Sequence, residues 1–127
     1  MIKTMLILYV ADQKKSSDFY KAILENEPQL DVPGMTEFEL NEFTILGLMP
    51  EEGIHRIIGD AMPHPALGNG IPRCELYLNV EDPEISYKKL LASGGKPISE
   101  SKLRDWGHIT AYGADPDGHI IAFAKMP

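Results

Sequence analysis

The pattern of apolar and polar positions predicts a strand and then a helix at the start of the chain. Residues 3–11 form a short apolar run, β-branched or aromatic in part, which is typical of a buried strand. A helix is predicted over about 13–24, because apolar side chains recur there at helical spacing and Asp12 can cap the first turn. Pro28 is expected to end this helix, since it disfavours helical geometry in the residue before it. The apolar helix positions are Phe19, Tyr20, Ile23 and Leu24.

Two short strands are predicted next, followed by a long irregular segment. The strands cover 35–40 and 43–49, and the polar pair Asn41-Glu42 joins them as a tight hairpin. From 50 to 72 the chain has four prolines and four glycines, so we predict no regular element there. A segment of this length in a compact protein usually carries function or mobility, and we interpret it as a linker or a lid.

The same order of elements begins again after this segment. Residues 73–80 predict a strand, and Asp82-Pro83 predicts the start of a second helix that Gly94-Gly95 ends. Strands are then predicted over 106–114 and 119–125, around the turn Asp115-Pro116-Asp117-Gly118. The second helix is expected to pack through Ile85, Tyr87, Leu90 and Leu91.

The repeated order is matched by an internal repeat in the sequence. Residues 8–12 (LYVAD) and 78–82 (LNVED) agree in pattern seventy positions apart, each where a strand gives way to a helix. We therefore predict a single domain (1–127) of the α+β class, with one βαβββ module at about 1–50 and another at about 73–127. A helix covers one face of each module's sheet, so the two bare faces are expected to form a curved mixed sheet around a concave cavity.

Composition excludes several classes of function. The chain has 127 residues, of which 43% are hydrophobic and 24% charged, which are ordinary values for one globular domain. With a net charge of −7 and no basic stripe, nucleic acid is not an expected partner. No apolar run approaches the roughly 18 residues of a membrane span, so no membrane partner is expected either. A single cysteine, Cys74, and the lack of a leader segment favour a cytoplasmic protein.

Four motifs, in this order and at this spacing, resemble the glyoxalase/bleomycin-resistance/dioxygenase (vicinal oxygen chelate) superfamily. The resemblance covers essentially the whole chain and implies the same paired βαβββ architecture. It also implies a homodimer, because the modules of this superfamily commonly pair so that each cavity borrows walls from a partner. The motifs are Asp18-Phe19-Tyr20, the segment 75–80 (ELYLNV), Asp105-Trp106-Gly107-His108 and the segment 115–123 (DPDGHIIAF).

The resemblance implies four metal-ligand positions, one on the first and one on the last strand of each module. In this sequence they fall at Met5 and Glu75, near Leu46 or Gly47, and at Ala122. Only Glu75 could bind a cation, whereas catalytic metal sites normally have about three protein ligands. We therefore predict no metal and no cofactor. The remaining candidate ligands are His55, His64, His108 and His119, which show no ligand spacing on a single element.

Strand alternation predicts the residues that would meet a ligand. On strand 73–80 the side chains of Arg73, Glu75 and Tyr77 point away from the helix, and Tyr9 has the same orientation on the first strand. Trp106 offers a stacking wall, and His108 an acid or base at the rim. The alternative roles are structural: Arg73 and Glu75 could form an ion pair with each other, and the aromatic residues could be ordinary core.

These observations predict a protein that binds a small organic molecule and sequesters a drug or metabolite without a metal. The acidic balance favours a cationic ligand, since a negative cleft concentrates cations. One alternative is a metal-dependent enzyme, either a glyoxalase-like lyase or isomerase or a dioxygenase. Another is a metal-independent enzyme with Glu75 as general base and Arg73 steadying an anion. The sequence assigns no catalytic residue.

Overall fold

The computed structural model describes residues 2–127, which form two compact α+β units. The first unit extends to Asn69 and the second begins at Gly70. Each unit contains one four-stranded mixed sheet with a helix against it. The predicted α+β fold of two βαβββ modules is therefore confirmed. None of the helices within 2–127 is long and apolar enough to cross a membrane.

In the first unit, a helix follows the first strand and three strands follow the helix. The elements are β1 (Thr4–Val10), α1 (Gln13–Leu24), β2 (Leu30–Val32), β3 (Met35–Asn41) and β4 (Thr44–Pro50). The strand order in the sheet is β1-β4-β3-β2, in which β1 and β4 run parallel and the other pairs antiparallel. Strand β1 is therefore an edge of its sheet.

The second unit repeats this topology. Its elements are β5 (Glu75–Asn79), α3 (Pro83–Ala92), β6 (Lys96–Leu103), β7 (Ile109–Ala114) and β8 (Ile120–Lys125). The strand order is β5-β8-β7-β6, with β5 parallel to β8 and the other pairs antiparallel. The internal repeat in the sequence thus corresponds to two sheets of the same connectivity.

Both aspartate caps lie where the sequence predicts them. The Asp12 carboxylate accepts a hydrogen bond from the Lys15 amide at 3.0 Å, and the Asp82 carboxylate accepts from the Glu84 amide at 3.1 Å. The end of α1 has a different cause from the one predicted. Glu25 adopts a left-handed conformation with φ of 52°, which ends the helix before Pro28 is reached.

The prediction of an irregular segment over 50–72 was wrong in part. It contains the helix α2 (Glu51–Ile58) and two 3₁₀ turns, Gly59–Ala61 and Pro65–Gly68. Glutamates in the first turn of α2 and Arg56 in its last turn interact favourably with the helix dipole. The prolines lie at or beyond the ends of α2, where they do not oppose it.

Two strands were also missed. Strand β2 has three residues and β6 has the polar sequence KPISESKL, and both are sheet edges without a clear apolar alternation. One predicted strand begins later than expected, since β7 starts at Ile109. Trp106 therefore lies in the connection between β6 and β7 and not in a strand.

Each helix covers one face of its sheet. In the first unit, α1 buries Phe19, Tyr20 and Ile23 against the sheet face that carries Leu46 and Leu48. In the second unit, Leu90 of α3 is fully buried, which contributes roughly 1.5–3 kcal/mol. The predicted face of α3 is only partly correct, because Ile85 is 64% exposed and Leu91 37% exposed.

The packing of Leu90 makes a testable prediction about Gly95. A Cβ atom at Gly95 would lie 2.6 Å from Leu90 Cγ and 2.9 Å from the Ala114 carbonyl oxygen, so Gly95→Ala overpacks the site. We expect this variant to lower the free energy of unfolding by about 1–3 kcal/mol, measured by denaturant titration. In the control Gly53→Ala, within α2, the nearest atom is Met49 Cε at 3.7 Å, and we expect a gain of about 0.5–1 kcal/mol. An unchanged stability for Gly95→Ala would contradict the packing.

Candidate ligand-binding site

The face of the second sheet opposite α3 carries a row of aromatic side chains. Tyr77 of β5 pairs with Ala122 of β8, which pairs with Tyr112 of β7, so these three side chains lie side by side on one face. The adjacent Gly113 lies against Leu90 and thus faces the helix. Because successive strand residues alternate, Tyr112 faces away from α3. We call this side of the second sheet, with Glu75, Tyr77, Thr110, Tyr112 and Ala122, the open face.

The Tyr77 hydroxyl joins three side chains on the open face. The Trp106 indole nitrogen donates a hydrogen bond to the Tyr77 oxygen at 3.0 Å. The same oxygen lies 2.7 Å from His108 Nδ1 and 3.4 Å from Thr110 Oγ1. An indole N–H can only donate, so the Tyr77 oxygen accepts there and its own proton is available for His108 Nδ1. Trp106 remains 54% exposed although its polar atom is bonded, so its ring is held in place and open to a ligand.

Arg104 completes the open face, and the sequence reasoning missed it. Its guanidinium carbon lies 5.0 Å from the centre of the Tyr112 ring, a cation–π arrangement. Its Nε and Nη2 both donate to the Thr110 carbonyl, at 3.1 and 2.8 Å. Nη2 also donates to Ser99 Oγ at 2.9 Å and to the Glu100 carbonyl at 3.1 Å. The sequence shows one signal, since Arg104 lies two residues before Trp106 in the same connection.

Charges on the open face change the acidity of Tyr112. Burial raises the pKa of Tyr112, and the negative charge of Glu75 raises it further. The Arg104 guanidinium has the opposite, smaller effect on this pKa. Tyr112 therefore lies within the electrostatic reach of both an acid and a base, and it stays neutral at physiological pH.

Three of the six predicted ligand-binding residues meet in one cluster, namely Tyr77, Trp106 and His108. Glu75 is exposed and lies on the same open face, one row along the strand from Tyr77. Arg73 is exposed and precedes β5. Among the residues described, Arg73 and Glu75 form no ion pair with each other. Tyr9 belongs to the first unit and is 40% exposed.

The corresponding face of the first sheet is apolar. Met5, Ile7 and Tyr9 of β1 are each between 37% and 40% exposed, and they pair with Ile45, Gly47 and Met49 of β4. The resemblance implied a metal-ligand position near Leu46 or Gly47 on the last strand of this module. The structure favours Gly47. Leu46 is fully buried on the helix face, whereas a Cβ at Gly47 would lie 3.2 Å from Ile7 Cγ1 on the other face.

The four positions implied for a metal do not supply a ligand set. In the first unit they are Met5 and Gly47, and in the second unit Glu75 and Ala122. Together they offer one carboxylate and one thioether, while glycine and alanine side chains offer no donor. A divalent ion at a catalytic site needs about three oxygen or nitrogen ligands. These residues do not fit a metal at the expected positions.

A different group of potential ligands lies in the second unit, and the sequence predicted only one of its members, His119, as a candidate ligand. One ligand atom each from Asp115, Asp117 and His119 lies within 4.8 Å of the others, in the turn between β7 and β8. The signal for Asp115 and Asp117 is the D-x-D-x-H spacing, but the segment 115–118 predicted only a turn. The fully buried Asp115 already has internal partners: its Oδ1 accepts from the Asp117 and His119 amides at 2.9 Å each, and its Oδ2 lies 2.7 Å from His119 Nδ1. A cation here would have to break the contact between Asp115 Oδ2 and His119 Nδ1.

A cleft of about 330 Å³ lies on the helix side of the first unit. It is bordered by α1 and by residues 31–33, and its charged groups include Lys14, Asp18 and Asp31. Lys14 already bonds both oxygens of Asp18, at 2.9 and 2.8 Å. This cleft lacks the aromatic wall and the convergent polar groups of the open face, so we place the candidate site on the open face.

Comparison with known proteins identifies the family. The chain matches the model of the glyoxalase-like domain family over residues 3–126, and it belongs to this family. A comparison with curated proteins finds no match. The predicted membership of the glyoxalase/bleomycin-resistance/dioxygenase superfamily is confirmed.

Solved structures with the same fold include three of this superfamily. A glyoxalase-related enzyme from Fulvimarina pelagi is 24% identical with a TM-score of 0.83, over 98% of this chain and 87% of that one. A glyoxalase/bleomycin resistance protein/dioxygenase family enzyme from Burkholderia phytofirmans PsJN is 12% identical with a TM-score of 0.80, over 97% of each chain. A glyoxalase/bleomycin resistance protein/dioxygenase from Nocardioides is 22% identical with a TM-score of 0.77, over 99% of this chain and 83% of that one. At these identities the likeness shows the fold alone.

The electrostatics of the open face can be tested by titrating the tyrosines. One tyrosine, lost in Tyr112→Phe, is expected to ionise above the usual pKa of about 10 in the near-ultraviolet absorbance of tyrosinate. Glu75→Gln should lower this pKa, because it removes a negative charge that disfavours tyrosinate. Glu84→Gln, on α3, should leave it unchanged. A late-ionising tyrosine that does not respond to Glu75→Gln would place Glu75 elsewhere.

The role of the turn at Asp115 can be tested by chelation. We expect Asp115→Ala to lower the free energy of unfolding by about 1–3 kcal/mol, because it removes the buried oxygen that accepts from two backbone amides. Adding EDTA to the wild-type protein should leave its melting temperature unchanged. A fall in melting temperature with EDTA that Asp115→Ala abolishes would instead identify a bound cation.

Proposed function

We propose that the protein binds a small organic molecule on the open face, without a metal, and sequesters a drug or metabolite. The observation that carries this proposal is the held but exposed ring of Trp106, whose indole nitrogen is bonded to Tyr77. Small-molecule sites combine aromatic walls with a few fixed polar groups. Here the walls are Trp106 and Tyr77, and the polar groups are His108 and Glu75.

Two features favour binding over catalysis. The implied metal positions contain a single carboxylate, and metal-dependent chemistry needs more ligands than that. Cys74 offers no activated nucleophile, because partial burial and the nearby Asp115 raise the pKa of its thiol. A lone free thiol also suits the reducing cytoplasm, which is the compartment we propose.

A metal-dependent enzyme is the second candidate, and one observation favours it. Asp115, Asp117 and His119 supply three ligand atoms close together, in a family whose structural relatives include enzymes. Such a lyase, isomerase or dioxygenase would need its ion at this turn and its substrate beside it. The metal-independent alternative, with Glu75 as general base, has weaker support, since Glu75 is exposed and Arg73 is not paired with it.

One set of thermal melts distinguishes the candidates. A ligand that binds only the folded state raises the melting temperature, so the protein is melted with a panel of aromatic compounds and, separately, with nickel, zinc, iron or manganese. We expect stabilisation by aromatic compounds and none by metals, and elemental analysis without bound metal. Strong stabilisation by a metal, together with its presence in the purified protein, would contradict the binding proposal.

Two matched variants test whether aromatic compounds bind beside Tyr77. Tyr77→Phe removes the hydroxyl that holds Trp106 and His108, and we expect aromatic compounds to bind about fivefold to tenfold more weakly. Tyr87→Phe makes the same chemical change on α3 and should bind as the wild type does. The affinities are measured by calorimetry, and equal affinities for the two variants would place the ligand away from Tyr77.

We further propose that the protein is a homodimer. Strand β1 is a sheet edge, and its Met5, Leu6, Ile7 and Tyr9 are each between 37% and 40% exposed, which favours burial against another chain. Sedimentation equilibrium at micromolar protein is expected to give twice the mass of the chain. A monomer mass under these conditions would contradict the dimer.

A further inference from the structure

We propose that Arg104 is an anion-binding residue, and that the molecule bound on the open face is an aromatic carboxylate. This inference rests on the proposed binding function and names the chemical class of its ligand. It differs from the expectation of a cationic ligand, which was based on net charge alone.

Arg104 is held in place by contacts on two of its three nitrogens. Nε and Nη2 donate to the Thr110 carbonyl, and Nη2 also donates to Ser99 Oγ and the Glu100 carbonyl. The guanidinium plane is further supported by the ring of Tyr112. A free arginine side chain loses considerable rotamer entropy when it binds an anion. Because Arg104 is already ordered, its side chain loses little further rotamer entropy when an anion binds.

The third nitrogen of Arg104 is available. Nη1 makes no hydrogen bond in the described chain, and no ion pair involves Arg104 there. Nη1 is not buried, so it reaches solvent. Two N–H groups of a fixed cation therefore point to no protein acceptor, and a carboxylate oxygen is a strong acceptor for them.

The surroundings of Arg104 suit the aromatic part of such a ligand. Thr110 connects Arg104 to Tyr77, since its carbonyl accepts hydrogen bonds from Arg104 and its hydroxyl lies 3.4 Å from the Tyr77 oxygen. Trp106 and His108 follow Arg104 in the same short connection between β6 and β7. An aromatic ring stacked on Trp106 can therefore direct a carboxylate toward Arg104.

The acid on the open face lies at the other end of the site. Glu75 occupies the strand row beyond Tyr77, on the side away from Thr110, about 7 Å along the strand from Tyr77. Tyr112 is affected by both charges, since Glu75 raises its pKa and Arg104 lowers it. The open face is thus positive near Arg104 and negative near Glu75, and the anionic group of a ligand belongs at the Arg104 end.

Three probes of one shape and different charge test the proposal. Benzoate, benzamide and benzamidinium share a planar ring and carry a negative, a zero and a positive charge. We expect benzoate to bind at least about tenfold more tightly than benzamide, and benzamidinium more weakly than both. Binding is measured by calorimetry and by the fluorescence of Trp106, the single tryptophan. Equal affinities, or a preference for benzamidinium, would overturn the assignment of a carboxylate ligand.

A charge-matched pair of variants tests the role of Arg104 itself. Arg104→Gln is expected to reduce benzoate affinity at least about tenfold and benzamide affinity by less than about twofold, which removes the charge preference. Lys88→Gln removes one positive charge from α3 and should preserve the preference. If Arg104→Gln does not fold, the three probes on the wild-type protein still decide the ligand's charge. Failure of all three probes to bind would count against the proposed function as well, whereas tight binding without charge preference would count against this inference alone.

Discussion

The candidate site depends on the Tyr77 hydroxyl. One oxygen atom accepts the indole proton of Trp106, bonds His108 and approaches Thr110, so it connects a strand in the sheet to the exposed connection between β6 and β7. Each such bond contributes only about 1 kcal/mol, but one fixes the exposed Trp106 ring against the sheet and another fixes His108 beside the same oxygen. Without this oxygen, the three predicted ligand-binding residues would be separate side chains on one surface.

Sheet register explains why this oxygen lies where it does. The parallel pairing of β5 with β8, and the antiparallel pairing of β8 with β7, place Tyr77 and Tyr112 on either side of the small residue Ala122. The first unit has the same topology, but its equivalent face carries Met5, Ile7 and Tyr9. The duplicated fold thus carries an apolar face in one unit and a polar aromatic face in the other, and we place ligand chemistry on the second.

Local signals in the sequence were sufficient for much of the fold. The aspartate caps, the helix α1 and the two βαβββ modules were predicted from such signals along the chain, and these predictions are confirmed. The missed elements lack such signals: β6 is a polar edge strand, and α2 lies among prolines and glycines. Alternation placed Glu75 and Tyr77 on one face. It could not find Arg104 and Tyr112, because their contact depends on how a bulged β6 pairs with β7.

The indole N–H resonance of Trp106 provides the most direct test of the whole account. The chain has a single tryptophan, so a nitrogen–proton correlation spectrum contains one indole signal to follow while benzoate is added. We expect this signal and the backbone amides of 104–110 to shift together with one dissociation constant, while those of 115–119 stay in place. An unchanged indole signal at saturating benzoate, or shifts confined to 115–119, would contradict a ligand site built on Tyr77 and Trp106.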